Sequence, residues 1–136
     1  MKETVSLMDL FPTILEYLGK AGPEREGCSL RPLLEGRKHA MPDFRVSEWA
    51  GANVPNFMVR TSEWKLMMAK DPASRATDAL FDLKNDPLEM ANLLGKEGDR
   101  AKYRKRADEM KDRLLQWLSR AGSPLADGVR ERALGG

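Results

Sequence analysis

The chain contains a single cysteine, Cys28, and a single histidine, His39, among its 136 residues. One cysteine excludes an internal disulfide, and it neither supports nor excludes an oxidising compartment. His39 stands beside Arg37 and Lys38 in a segment rich in Gly, Pro and charge, so we interpret it as a solvated side chain. Chemistry that needs two histidines from this chain is therefore excluded.

Long apolar runs and an excess of one charge are also absent. No stretch approaches the length needed to cross a bilayer, and the N-terminus lacks the pattern of an export signal, which predicts a soluble chain. The 23 basic and 21 acidic residues leave a net charge of +2. We therefore expect neither nucleic acid nor a membrane as a partner. The length suits one domain.

The first part of the chain predicts a helix followed by a connecting loop. Residues 5–18 carry apolar side chains at helical spacing, and Gly19 can end the helix. Pro12 either lies in the first turn of a helix that begins near Asp9, or bends a longer helix. Residues 20–43 are rich in Gly, Pro and charge, with a short apolar anchor at 30–34.

From Arg45 onward the apolar period changes to two, which predicts strands. Strands near 56–61 and 64–69 are separated by three residues, too few for a parallel crossover, so they should be antiparallel. We expect an exposed excursion over 70–78 before a strand at 79–83.

A final helix over about 99–121 carries one apolar face that needs a partner, and the sheet is the candidate. The predicted fold class is therefore α+β, a small antiparallel sheet packed against a long C-terminal helix. We divide the chain into residues 1–43, a helix and loop, residues 44–124, the sheet and helix, and residues 125–136, a flexible tail. The excess of basic residues on the final helix is interpreted as a solvated outer face.

The stretch from Leu80 to Leu93 has the most specific local signal. Asp86 can cap a helix, Pro87 suits its first position, and Glu89 can reach back to the cap. Asn92 should hydrogen-bond a nearby loop or helix end. The sequence therefore predicts a strand, a turn and a capped helix in a structural role.

The same stretch resembles a signature found near the C-terminal end of sulfatases, the sulfuric ester hydrolases of the alkaline phosphatase superfamily. Three further matches precede it in the family's order: residues 5–15 with Gly19, residues 27–36, and residues 58–66 with their Val-Arg-Thr and Trp-Lys-Leu sequences. Four ordered matches cover roughly residues 5 to 93. The resemblance is confined to the final third of a sulfatase, which implies that the catalytic segment is not among these residues.

The resemblance implies that the intact parent hydrolyses sulfate esters, or less often sulfamates or phosphoesters. It would do so through a formylglycine and calcium or another divalent cation. The formylglycine motif is Cys-x-Pro/Ala-x-Arg, and the residues that follow Cys28 depart from it, with Leu30 third and Pro32 fifth. The acids near Asp82 are accounted for by capping, and no EF-hand spacing occurs. We therefore expect no cofactor or metal site in this chain, and no activity from it alone.

Glu48, Trp49 and Asn53 flank a Gly-containing loop with the polar and aromatic mix of a recognition edge. Since a C-terminal subdomain can lend loops to the pocket rim of sulfatases, these three residues are our candidate substrate-binding set. The alternative places Trp49 in the core and Glu48 in solvent.

The resemblance implies that the main partner is the missing catalytic domain of the sulfatase. An apolar face at Met8, Phe11, Leu15 and Leu18 should rest on it, and self-association would follow if that face were bare. A stand-alone protein-interaction module derived from a sulfatase subdomain is the alternative function. The compartment stays open, with an exported or periplasmic parent as one alternative.

Overall fold

A computed structural model describes residues 3–23, 26–51, 54–70 and 78–135. The chain divides into two compact units, an N-terminal unit of Met1–Arg45 and a C-terminal unit of Val46–Gly136. No helix within the described ranges has the length and apolar character needed to cross a membrane.

In the N-terminal unit a 3-10 turn at Leu7–Asp9 leads directly into helix α1, Leu10–Tyr17. Ser6 caps the turn, and the Asp9 carboxylate accepts a hydrogen bond from the Ser6 N–H at 2.8 Å. Pro12 is the third residue of α1, within the first turn, where its missing N–H costs no helical hydrogen bond. Of the two alternatives, the structure therefore shows the helix that begins beside Asp9. A second short helix, α2, spans Arg31–Leu34.

The C-terminal unit is built on a four-stranded sheet of order β1-β2-β3-β4. The strands are β1 Arg45–Gly51, β2 Val54–Arg60, β3 Trp64–Ala69 and β4 Ala79–Asp82. β2 and β3, and β3 and β4, pair antiparallel, with Val59 opposite Leu66 and Leu66 opposite Leu80.

Helix α3, Arg100–Arg120, covers one face of this sheet. Asp99 caps its start by accepting a hydrogen bond from the Lys102 N–H at 3.0 Å. The core joins side chains from the sheet and the helix, all at most 2% exposed: Phe57, Val59, Leu66, Met68, Leu80, Ala107, Met110, Leu114 and Leu118. The predicted α+β class with a long C-terminal helix is confirmed.

The capped helix predicted after Asp86 is wrong, because residues 86–93 form a turn and an extended segment. Glu89 has a left-handed backbone, with φ at 57°, a conformation that an α-helix cannot contain. Asp86 still accepts a backbone hydrogen bond, from Ala91 at 2.9 Å, but this bond closes a turn instead of starting a helix.

The structure also differs from the predicted tail and excursion. Residues 126–131 form helix α4, and Val129 and Leu134 are buried, so the last segment is packed where we expect flexibility. Val129 and Leu134 stand five residues apart in a charged segment, a spacing too sparse for a periodicity argument. Of the excursion at 70–78, residues 71–77 lie outside the described residues, and Asp78 is buried instead of exposed.

Candidate functional site

Glu48 and Trp49 lie on β1, an outer strand of the sheet, and both side chains are exposed. Trp49 is 71% exposed, where the alternative places it in the core, whereas the exposed Glu48 agrees with that alternative. Asn53, the third predicted residue, lies outside the described residues. An exposed indole on an edge strand offers a flat apolar surface and one N–H donor, which suits contact with a ligand or another protein surface.

The Asn92 side chain forms hydrogen bonds with three backbone groups in and beside β4. Its side-chain oxygen accepts hydrogen bonds from the N–H groups of Leu80, at 3.1 Å, and Leu94, at 3.0 Å. Its amide nitrogen donates to the carbonyl of Asp78 at 3.0 Å. The side chain therefore ties both ends of a loop to β4, which is a structural task.

Glu89 forms ion pairs with cations on β2 and β3. Its carboxylate lies 2.6 Å from the Lys65 ammonium and 4.0 Å from the Arg60 guanidinium. Lys65 and Arg60 are register partners, so one carboxylate spans two strands. Pro87 is exposed in the preceding turn.

The turn after β4 is organised by Asp82. Partial burial opposes its ionisation, but hydrogen bonds from the Asn85 side chain and from the N–H groups of Asn85 and Lys84 outweigh it and lower the pKa of this carboxyl. All three hydrogen bonds come from residues of the turn itself. Asp82 therefore stabilises local structure and is poorly placed to act as an acid or base.

A buried carboxylate in the N-terminal unit escaped the sequence analysis. Asp9 accepts hydrogen bonds from the N–H groups of Ser6 and Cys28, at 2.8 and 2.9 Å, and from Arg45 at 2.9 Å. Thr13 donates to the Asp9 carbonyl and accepts from the Leu30 N–H at 2.8 Å. The available signal was an acid within the apolar pattern of a predicted helix, and the network joins α1 to the loop that follows it.

The groups that could carry catalysis stand apart from one another. Cys28 is half-buried and its N–H is bound to Asp9, while His39 is exposed. Within the described residues no three His, Cys, Asp or Glu side chains converge on a point where a metal could sit. The described part of the chain therefore offers neither a paired nucleophile and base nor a cation cage.

The N-terminal unit instead exposes a large apolar surface, here called the α1 face. Its members are between 48% and 85% exposed: Leu7, Met8, Leu10, Phe11, Ile14, Tyr17 and Leu18. Beside it, Phe11, Pro12 and Leu15 line a groove of about 290 Å³ whose other wall includes Lys20, Gly22, Pro23, Glu26 and Gly27. Of the predicted face, Met8, Phe11 and Leu18 are exposed and Leu15 is half-buried. Contiguous apolar surface of this kind marks an interaction site.

Known proteins resemble this chain along most of its length. Residues 1–120 match the family described as N-sulphoglucosamine sulphohydrolase, C-terminal. The chain is 36% identical to human arylsulfatase K over 103 residues, 68% of this chain, and 28% identical to an arylsulfatase of Clostridium perfringens over 127 residues, 93% of this chain. A solved 2-O GAG sulfatase superposes with a TM-score of 0.70 and 32% identity over 92% of this chain. The chain spans only 19%, 25% and 26% of these proteins.

Proposed function

Because the chain belongs to the family of sulfatase C-terminal domains, we propose that it is the C-terminal part of an enzyme that hydrolyses sulfate esters or related sulfamates. The observation that carries this proposal is the match over residues 1–120 to a family named for a sulphohydrolase. The identities to arylsulfatases, each covering about a quarter or less of the relative, support placing the chain at one part of a longer polypeptide.

The whole enzyme would use a formylglycine and a divalent cation, as the resemblance to sulfatases implies. The residues of this chain do not fit either group, since Cys28 lacks the motif and no acidic cage forms within the described ranges. We therefore place both groups on the segment that relatives carry outside the matched region, and we expect the isolated chain to be inactive.

Sulfatase assays of the purified chain, with and without calcium, test the expected inactivity. Turnover should not exceed that of a heat-inactivated sample of the same preparation. The parent assignment is tested separately, by sequencing the DNA upstream of the codon for Met1. An open reading frame that encodes Cys-x-Pro-x-Arg would support a sulfatase parent. Turnover by the chain alone would contradict the proposal that the formylglycine and the cation lie outside this chain.

The α1 face is proposed to pack against the catalytic part of the same enzyme. Burial of an exposed Leu or Ile side chain contributes about 1.5–3 kcal/mol, so a surface with seven large apolar residues is costly in water and strongly favourable in an interface. The relatives indicate what would cover this face, since about three quarters or more of each relative lies outside the matched region and is available to pack against it.

A matched pair of variants tests this docking surface in the full-length enzyme. Ile14→Glu places a charge on the α1 face, whereas Leu88→Glu places one on an exposed side chain of the C-terminal unit. We expect Ile14→Glu to lower the thermal stability and activity of the enzyme and Leu88→Glu to leave both near wild type. Equal effects would contradict the proposal.

The competing function, a stand-alone interaction module, makes a different prediction for the chain by itself. Light scattering together with hydrogen exchange separates the two. Self-association or weak protection of residues 5–18 would support a face that lacks its partner, because the apolar surface stays in water. A monodisperse monomer with protected amides over 5–18 would argue for an independent module.

Glu48, Trp49 and Asn53 are proposed to contribute to the rim of the substrate pocket in the whole enzyme. The exposure of Trp49 on an edge strand supports this role, because a solvated indole is available to contact the organic part of an ester. Alanine variants should change the ratio of kcat/KM values among several sulfate esters. Glu63→Ala, in the exposed β2–β3 turn, is the control. Unchanged ratios would contradict a role in specificity.

A further inference from the structure

The last described segment of the chain, residues 125–135, is here called the strap. It consists of Leu125, helix α4 over Ala126–Glu131, the extended Arg132 and a turn at residues 134–135. Val129 and Leu134 are buried, and α4 contacts α3. The strap is therefore packed against α3, the helix that forms part of the core of the C-terminal unit.

One buried carboxylate accepts two hydrogen bonds from the strap. Asp78, directly before β4, accepts a hydrogen bond from the Arg132 guanidinium at 2.7 Å on one oxygen and from the Gly135 N–H at 2.9 Å on the other. The side chains of Arg132 and Asp78 are 6% and 1% exposed. Because both charges are removed from water, loss of either partner leaves the other buried and unpaired.

Two cations of α3 also form hydrogen bonds with the strap. The Lys111 ammonium donates to the carbonyls of Arg130 and Arg132 at the end of α4. Arg100 donates to the Gly135 carbonyl and to the Leu94 carbonyl. Burial lowers the pKa of Lys111, and the nearby Arg132 charge acts in the same direction.

The sheet does not depend on these contacts for its own pairing. The ladders between β2, β3 and β4 are made by residues 56–69 and 79–82, none of which belongs to the strap. The strap reaches β4 through the side chain of Asp78, which precedes the first paired residue. Segments joined to a core through a few side chains open locally at lower free energy than the core itself.

We propose that residues 125–135 are a conformational strap, locked by the Arg132–Asp78 ion pair, that opens and closes as a unit while the sheet and α3 stay folded. The lock is the only buried ion pair among those described in the C-terminal unit. Opening would release the strap from Asp78 and bring Val129 and Leu134 into solvent.

Hydrogen exchange on the full chain tests the strap with a matched pair of variants. Arg132→Met removes the lock, whereas Arg130→Met removes an exposed pair with Asp127 on the same helix. Loss of the lock should raise exchange in residues 126–135 by about tenfold or more, the Gly135 amide included, with β2 and β3 within about twofold of wild type. Arg130→Met should leave both regions within about twofold.

Three results would overturn the proposal. Unchanged exchange in the strap of Arg132→Met would show that the ion pair is not a lock, and a parallel rise in β2 and β3 would show that the strap does not open separately. If Arg132→Met does not fold, the double variant Asp78→Asn/Arg132→Met, which leaves no unpaired charge, replaces it. This variant should fold and show faster hydrogen exchange in the strap than wild type. Hydrogen exchange in the strap at the wild-type rate would also overturn the proposal.

Discussion

Replacing Asn92 by alanine should destabilise the C-terminal unit more than its partly exposed position suggests. The side chain makes three hydrogen bonds to backbone groups, two from N–H donors and one to a carbonyl. All three groups belong to buried residues, Leu80, Leu94 and Asp78. Alanine offers no replacement partner, so each group either stays unpaired or admits water into the edge of the core.

The expected loss follows from the number of bonds. A typical intramolecular hydrogen bond contributes a net of about 0.5–1.5 kcal/mol, so three of them give about 3 kcal/mol. Asn92→Asp keeps both acceptor contacts but turns an oxygen toward the Asp78 carbonyl, which predicts about half of that loss. Asn85 is the control, since its amide makes one exposed hydrogen bond, to Asp82.

Urea unfolding, followed by the circular dichroism of α3, measures the effect. With a slope of about 1.5 kcal/mol per M, a loss of about 3 kcal/mol lowers the midpoint by about 2 M. Asn85→Ala should lower the unfolding free energy by less than about 0.5 kcal/mol. The reasoning is refuted if Asn92→Ala is as stable as Asn85→Ala, or if Asn92→Asp is the less stable of the two Asn92 variants.

Three further predictions use other parts of the chain. Leu114→Ala should cost about 2–5 kcal/mol in urea unfolding because the side chain is fully buried, whereas Leu88→Ala, at 80% exposure, should change it by less than about 0.5 kcal/mol; similar values would contradict the assigned core. Asp9→Ala removes three hydrogen bonds and leaves Arg45 unpaired, so it should cost about 3–5 kcal/mol, measured by hydrogen exchange in the N-terminal unit. Partial burial opposes the ionisation of Asp82, but hydrogen bonds from Asn85 and Lys84 outweigh it and lower the pKa of this carboxyl below its ordinary value, so its contribution is present above the unfolded pKa and is lost as pH falls through the folded pKa. Asp82→Asn should therefore lose less stability than wild type as the pH is lowered through this acidic range, measured by urea unfolding at several pH values.

Periodicity predicted the elements whose partners lie within the C-terminal unit. Strands expected near 56–61, 64–69 and 79–83 are found at Val54–Arg60, Trp64–Ala69 and Ala79–Asp82, and the helix expected over 99–121 is Arg100–Arg120. These segments alternate or repeat along enough residues for the buried side chains to define the period.

Local capping chemistry gave the wrong structure after Asp86 because a distant cation competes for the same acid. A capping box requires Glu89 to turn back toward Asp86, but its carboxylate lies 2.6 Å from Lys65, 24 residues earlier in the chain. A partner at that separation has no signal in the local sequence. The same reason explains the tail, whose Arg132 meets Asp78 across 54 residues.

Helical spacing alone does not say where the partner of an apolar face lies. The faces of α1 and α3 show the same three-and-four period, yet Met110 and Leu114 are fully buried while Leu10 and Ile14 are about half exposed. Burial of an apolar face is what stabilises a helix in water, so the period of α1 implies a partner that the described residues do not supply. The difference between the two helices is therefore the physical reason for proposing that α1 packs against a surface outside the described residues.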